Sequence, residues 1–171
     1  MRDRRAAVPG ADSTVTKADW EGQDISGRSH TRVSFVDLDM TEATNHGAVF
    51  TECTCKLVGS TFDRCTFELM KVDGGNWSHV GLIGAELGAA TFTDVRMREV
   101  DLTNARLEDA SLRGGDLAEA TFRGAKLDGC DLRGSDLGAV DLEGVELAGA
   151  IITAQQAVTL ALALGLDVRA D

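Results

Sequence analysis

Apolar residues recur every five positions along most of this chain. Counting back from Ile152, the column reads Leu147, Leu142, Leu137, Leu132, Leu127, Phe122, Leu117, Leu112, Leu107, Leu102, Met97, Phe92, Leu87, Leu82, Trp77, Val72, Phe67, Phe62 and Leu57. That is 20 apolar residues in 20 consecutive slots. An α-helix returns its buried face every ~3.6 residues and a flat strand every two, so a period of five fits neither. A second column, two residues before each centre, is small: Ala85, Ala90, Ala105, Ala110, Ala120, Ala125 and Ala150, with Gly75, Gly115, Ser135, Cys130 and five valines, Met70 being its one large member. Residues two apart on extended backbone point the same way, and the residue between them points away. Asp101, Asp116, Asp131, Asp136 and Asp141 occupy that outward slot. The last residue of each five is often glycine, as at Gly114, Gly124, Gly129 and Gly134, which suits a turn. Each unit is therefore a short extended piece and a turn. If all units turn alike, the chain winds into a coil whose backbone pairs with the coil beneath, a β-solenoid.

The pattern shifts frame before residue 53. There the centres are Trp20, Ile25, Phe35, Met40 and Phe50, with His30 and Asn45 as polar intruders. The jog falls at "ECTCKLVG", residues 52–59, with the break expected near 53–57. Either two residues bulge out or three are missing. Cys53 and Cys55 both resemble the small residue that opens a repeat, which favours a shortened junction. His30 reads as part of a poorly formed outer coil, and Asn45 as a side chain bonded to backbone within a turn. Residues 1–16 carry no pattern and are expected to be a disordered tail before a repeat region spanning 17–154.

The period changes again at the C-terminus, where 155–171 reads as a helix and tail. Thr153 and Gln156 stand in capping-box spacing, and Gly165 is placed to end the helix. Its apolar residues, Val158, Leu160, Leu162 and Leu164, are expected to cap the open edge of the last coil and to form a homodimer contact.

Charge and chemistry narrow the function. The chain has 171 residues and a formal net charge of −11, which argues against nucleic acid as a direct ligand and suits a basic partner. No run is long enough to span a membrane, and the opening "MRDRRAAVPGADSTVT" has too short an apolar stretch for a signal peptide, so a cytoplasmic location is expected. Cys53, Cys55, Cys65 and Cys130 form neither a secreted disulfide pattern nor a zinc-ligand spacing. His30, His46 and His79 are dispersed, and no nucleophile or phosphate-loop motif is present. The expectation is a protein without enzymatic activity, cofactor or metal.

The run "VDLTNARLEDASLRGGDLAEATFRGAKLDGCDLRGSDL" resembles the pentapeptide-repeat family. The resemblance implies a right-handed quadrilateral β-helix with four repeats per coil over about residues 18–154. Sorted on that 20-residue period, one side of the coil carries Glu68, Glu86, Glu108, Asp109, Asp128 and Glu146 against Arg106 and Lys126, a net −4. The side beginning at Met70 sums to zero. Local wording such as "DISGRSHTRVSF" is similar to the quinolone-resistance members, the MfpA and Qnr types. That likeness implies a dimeric mimic of duplex DNA that binds DNA gyrase or another topoisomerase through the acidic side. The competing expectation is a scaffold or binding module with another partner, its acid serving solubility.

One consequence needs only the inward column. Leu112→Ala leaves a hole that neighbouring coils cannot close, and is expected to lower stability by about 2–5 kcal/mol in denaturant unfolding.

Overall fold

The computed structural model describes residues 9–36, 44–46, 49–51, 54–56 and 66–169; for 44–46, 49–51, 54–56, 67 and 68 it describes the backbone alone. Among the described residues, ten three-residue strands alternate with turns: β1 Thr14–Thr16, β2 Ser29–Thr31, β3 Ser34–Val36, β4 Thr44–His46, β5 Val49–Thr51, β6 Thr54–Lys56, β7 Thr66–Glu68, β8 Lys71–Asp73, β9 Thr91–Thr93 and β10 Ser111–Arg113. They stack in parallel as β1-β3-β6, β2-β5-β8-β9-β10 and β4-β7. Beyond β10 the rungs are single parallel bridges, and they keep a 20-residue step: Thr121 pairs with Asp141, Lys126 with Glu146, Asp131 with Ile151. The chain is a β-solenoid closed by one helix, α1, Ala154–Ala163.

The rungs repeat one bonding scheme. Asp131 N–H donates to the Ala110 carbonyl (2.9 Å) and Leu112 N–H to the Asp131 carbonyl (2.8 Å). Between rungs a turn closes on itself, as where Cys130 N–H donates to the Leu127 carbonyl (3.0 Å). Backbone polar groups are thus paired between coils or within turns, and the inside is left to side chains.

Every slot of the five-step column from Val72 to Leu137 is buried. The small column lines the same interior, and even Met70 is fully buried there. Ser135, the polar member, is satisfied: its Oγ donates to the Leu112 carbonyl and accepts from Gly115 N–H. Cys130 fills an alanine-sized slot, and burial pushes its thiol up to about 12, so it is core packing. Leu57, Phe62, Cys53 and Cys65 lie outside the described residues.

Three expectations are corrected by the strand register. β1 pairs with β3, so the coil begins within the stretch expected to be a tail; Val15 packs against the core and recruits Thr14–Thr16. At the jog, Ser34 pairs with Thr54, a 20-residue step, whereas Thr44 pairs with Thr66 and Val49 with Lys71, steps of 22. The chain gains two residues after Lys56 and before Thr66; it does not lose three. Cys55 does not open a new repeat, because it is the centre of β6, in register with Phe35, and continues the first frame. Asn45 takes the centre of β4 in register with Phe67, a strand position and not a turn.

His30 is corrected by its burial. It is fully buried in a well-formed coil, its ring 5.9 Å from Trp20 and 5.7 Å from Phe35. An imidazole has the size and flatness to fill an aromatic slot. Burial, helped by Arg28, pushes its pKa down to about 4, so it is neutral in the folded protein near pH 7.

The helix ends the solenoid by imitating the next rung. Along the coil, residue n donates its N–H to the carbonyl 21 residues earlier, as Asp136 does to Gly115 (2.8 Å) and Ile151 to Cys130 (2.8 Å). Gln156 would be next, donating to Ser135. Its backbone N–H is instead taken by the Thr153 hydroxyl (3.2 Å) in the expected capping box. Its side-chain Nε2 reaches the Ser135 carbonyl (2.8 Å) and the Leu132 carbonyl (2.6 Å) in the backbone's place.

Two outcomes follow. An unfolded chain protonates His30 near pH 6.5, but the folded one resists until about pH 4. Stability is therefore full above about pH 6.5 and falls by about 2–3 kcal/mol as pH drops to 4. His30→Phe should flatten that leg of the pH–stability curve. Gln156→Ala should cost about 1–3 kcal/mol by stranding two buried carbonyls, with hydrogen exchange accelerating first around Leu132–Ser135.

Candidate functional site

The 20-residue register gathers the acidic residues that the sequence singled out. Glu86, Arg106, Lys126 and Glu146 form one ladder, each bridged to the next, with Thr66 below Glu86. Rungs about 4.8 Å apart put Glu86 and Glu146 roughly 14 Å apart along the solenoid. Glu108 and Asp128 stand two residues beyond this ladder on successive coils, and Asp109 follows Glu108 at a corner. Glu68 ends β7 in register with His46; its side chain lies outside the described residues.

The acids on this flank are in unequal situations. Arg106 Nη2 lies 3.1 Å from Glu108 Oε1, and Lys126 Nζ lies 3.4 Å from Glu146 Oε1, so both cations are engaged by acids of the same flank. Asp128 accepts the Ala148 N–H (2.7 Å), binding one coil to the next. It is therefore part of the scaffold as well as of the surface. Asp109 adopts φ 57°, and its carboxylate leans over the next corner, where a Cβ on Gly129 would lie 2.5 Å from Asp109 Oδ1. Glycine, itself at φ +71°, is what fits under it. Glu86 and Asp109 are exposed and form no ion pair among the described residues.

Other ladders are stitched more tightly. Arg98 pairs with Asp116 and Glu119, and Arg123 with Asp141 (2.9 Å) and Glu143 (3.2 Å). Asp131 is held by Arg133 and faces Arg113; the Arg133 hydrogen bonds pull its carboxyl down to about 2.

Of the four helix residues expected to cap or dimerise, only Leu160 packs against the core. Val158, Leu162 and Leu164 are exposed, the last two by 57% and 67%. Leu166 and Val168 beyond the helix and Leu147 and Ile151 on the last coil are exposed as well. Leu147 belongs to the inward column, but no further coil covers it. The missing signal was positional: the last slot of a stack has only one neighbour. Among the described residues no cluster of His, Cys, Asp and Glu is arranged to hold a metal, and no helix is long and apolar enough to cross a membrane.

Parallel rungs every 20 residues around one apolar column define a β-solenoid protein. The model for pentapeptide repeats matches residues 81–117 and 116–153, with 8 copies, so this stretch is built of that family's repeats. No curated protein sequence matches it. Among similar solved structures is QnrB1, a plasmid-mediated fluoroquinolone resistance protein, 21% identical over 98% of this chain and 95% of that one, with a TM-score of 0.44. Another is HetL, involved in heterocyst differentiation regulation in the cyanobacterium Nostoc (20% identity, 81% of this chain, 86% of that one, TM-score 0.27). A third comes from the Arabidopsis thaliana thylakoid lumen (18% identity, 84% and 77%, TM-score 0.40).

Proposed function

We propose that this chain is a non-enzymatic cytoplasmic protein that binds DNA gyrase, or a related topoisomerase, on a surface otherwise occupied by duplex DNA. Such binding would modulate the enzyme or protect it from quinolone-type poisons. The observation that carries the reading is the register that stacks Glu86, Glu108, Asp109, Asp128 and Glu146 on one flank, which with Glu68, and against Arg106 and Lys126, sums to −4. A rigid row of carboxylates suits a basic groove, since charge complementarity selects and steers the partner. The right-handed quadrilateral form belongs to the same proposal, because straight sides would keep that row in line. So does a homodimer joined at the C-terminal end. Leu162, Leu164, Leu166 and Ile151 are exposed apolar residues at that end, which a second copy would cover.

A second reading, a scaffold with no gyrase activity, is favoured by the charge balance. Duplex DNA carries one charge per about 1.7 Å, so roughly 32 Å of solenoid would replace about 19 phosphates. The whole chain carries −11. Both flank cations are also spent on the acids there.

A supercoiling assay with purified gyrase separates the two. The mimic inhibits supercoiling and relieves quinolone-induced cleavage at micromolar protein, and an E86K/D109N variant weakens both effects roughly tenfold while melting like the parent. Asparagine tolerates the left-handed backbone at 109, and neither side chain is bonded among the described residues. No effect of the parent protein leaves the scaffold.

A further inference from the structure

The electroneutral ladder carries a groove of a different character. Around β9 and β10 a shallow depression of 510 Å³ is lined by Thr91, Thr93, Ser111, Arg113 and Arg133, with Asp94 on its rim. Its floor is hydroxyl-bearing because Thr91, Thr93 and Ser111 are short outward residues of adjacent strands. Its basic wall comes from the period: Arg113 and Arg133 are one coil apart, so their side chains rise from rungs about 4.8 Å apart.

Asp131, bridged to Ser111, orients both guanidinium groups. It takes Arg133 through Nε (2.9 Å) and Nη2 (2.7 Å), and faces Arg113 Nε at 3.7 Å. Arg113 approaches Asp131 without a hydrogen bond and keeps its donors, and Arg133 keeps Nη1, without a hydrogen bond among the described residues. A carboxylate that fixes one arginine and draws a second alongside it, while leaving their outer donors open, creates a fork for an anion with several oxygens.

We propose that this groove binds a tetrahedral oxyanion, as free phosphate or as the phosphoryl group of a small phosphomonoester. Arg113 and Arg133 bind the oxygens, the Ser111 and Thr93 hydroxyls donate to them, and Asp131 acts as the positioning residue. Asp94 opposes the ligand from the rim, as does the net charge of −11, so binding is weak and salt-sensitive.

Isotope-labelled full-length protein titrated with inorganic phosphate, and separately with glycerol 3-phosphate, tests this against chloride at matched ionic strength. The expected result is saturable shifts of the Arg113 and Arg133 Nε–H resonances and of the Gly114 and Gly134 amides at millimolar phosphate. Tighter binding of the monoester would assign the remaining groove to its organic part, and equal binding would assign the site to the free anion. Arg113→Gln, whose side chain makes only the 3.7 Å contact, should bind about tenfold more weakly without a change in melting temperature. Asp94→Asn should bind about threefold more tightly, a readout that a merely structural role would not move. Shifts that fail to saturate or that chloride reproduces, or unchanged affinity in R113Q, overturn the proposal.

Discussion

Each coil is held to the next by parallel backbone pairing at a step of 20 residues, or 22 across the jog, and that register places every other group among the described residues. Because residue n sits over residue n − 20, an apolar residue every five positions becomes a continuous interior stack from Val72 to Leu137. The same rule lines up whatever faces outward. A carboxylate at 86, a guanidinium at 106 and an ammonium at 126 are sequence-distant yet adjacent in space. Across coils, the neighbour of an outward side chain is set by the rung below.

This constraint explains why most of the fold could be read from sequence and where reading stopped. The inward column, the small column and the capping box are local signals, each visible within about ten residues. The strands before the jog were harder because their fillers are unusual. His30 occupies a core slot by virtue of ring shape, although its polarity advertises a surface. The sense of the jog could not be read at all. A gain of two residues and a loss of three leave the same frame, and only pairing of Thr44 with Thr66 distinguishes them. The acidic flank was legible residue by residue, but its internal neutralisation was not. Arg106 turns to Glu108 while Lys126 turns to Glu146, a choice made by side-chain reach after the ladder is built.

The two ends of a solenoid pose the same physical problem, unpaired rung groups over an uncovered core, and the C-terminal end shows a partial solution. Gln156 supplies a side-chain amide where a backbone amide is due, so Ser135 meets the same kind of donor that Gly115 meets one coil earlier. The helix seats Leu160 and stops there. Leu147 and Ile151 are left at the edge with the outer helix residues. A cap that satisfied the whole edge would need apolar residues turned inward on every ladder, and a helix of ten residues lying over one part of the coil cannot provide them.

The charge pattern follows from the same geometry and bears on how the surface is used. A like-charged column with rungs about 4.8 Å apart repels itself, by about 1 kcal/mol per neighbouring pair even in water. The chain relieves this by interleaving: Arg106 and Lys126 separate Glu86 from Glu146, and Arg98 and Arg123 each hold two acids. What a partner meets is therefore not a uniform row. Glu86 and Asp109 project with no counter-ion among the described residues, whereas Glu108, Asp128 and Glu146 already have partners that an incoming cation must displace. On the reading proposed above, recognition of the acidic flank would concentrate at these two carboxylates among the described residues, with the paired ones contributing field more than contact.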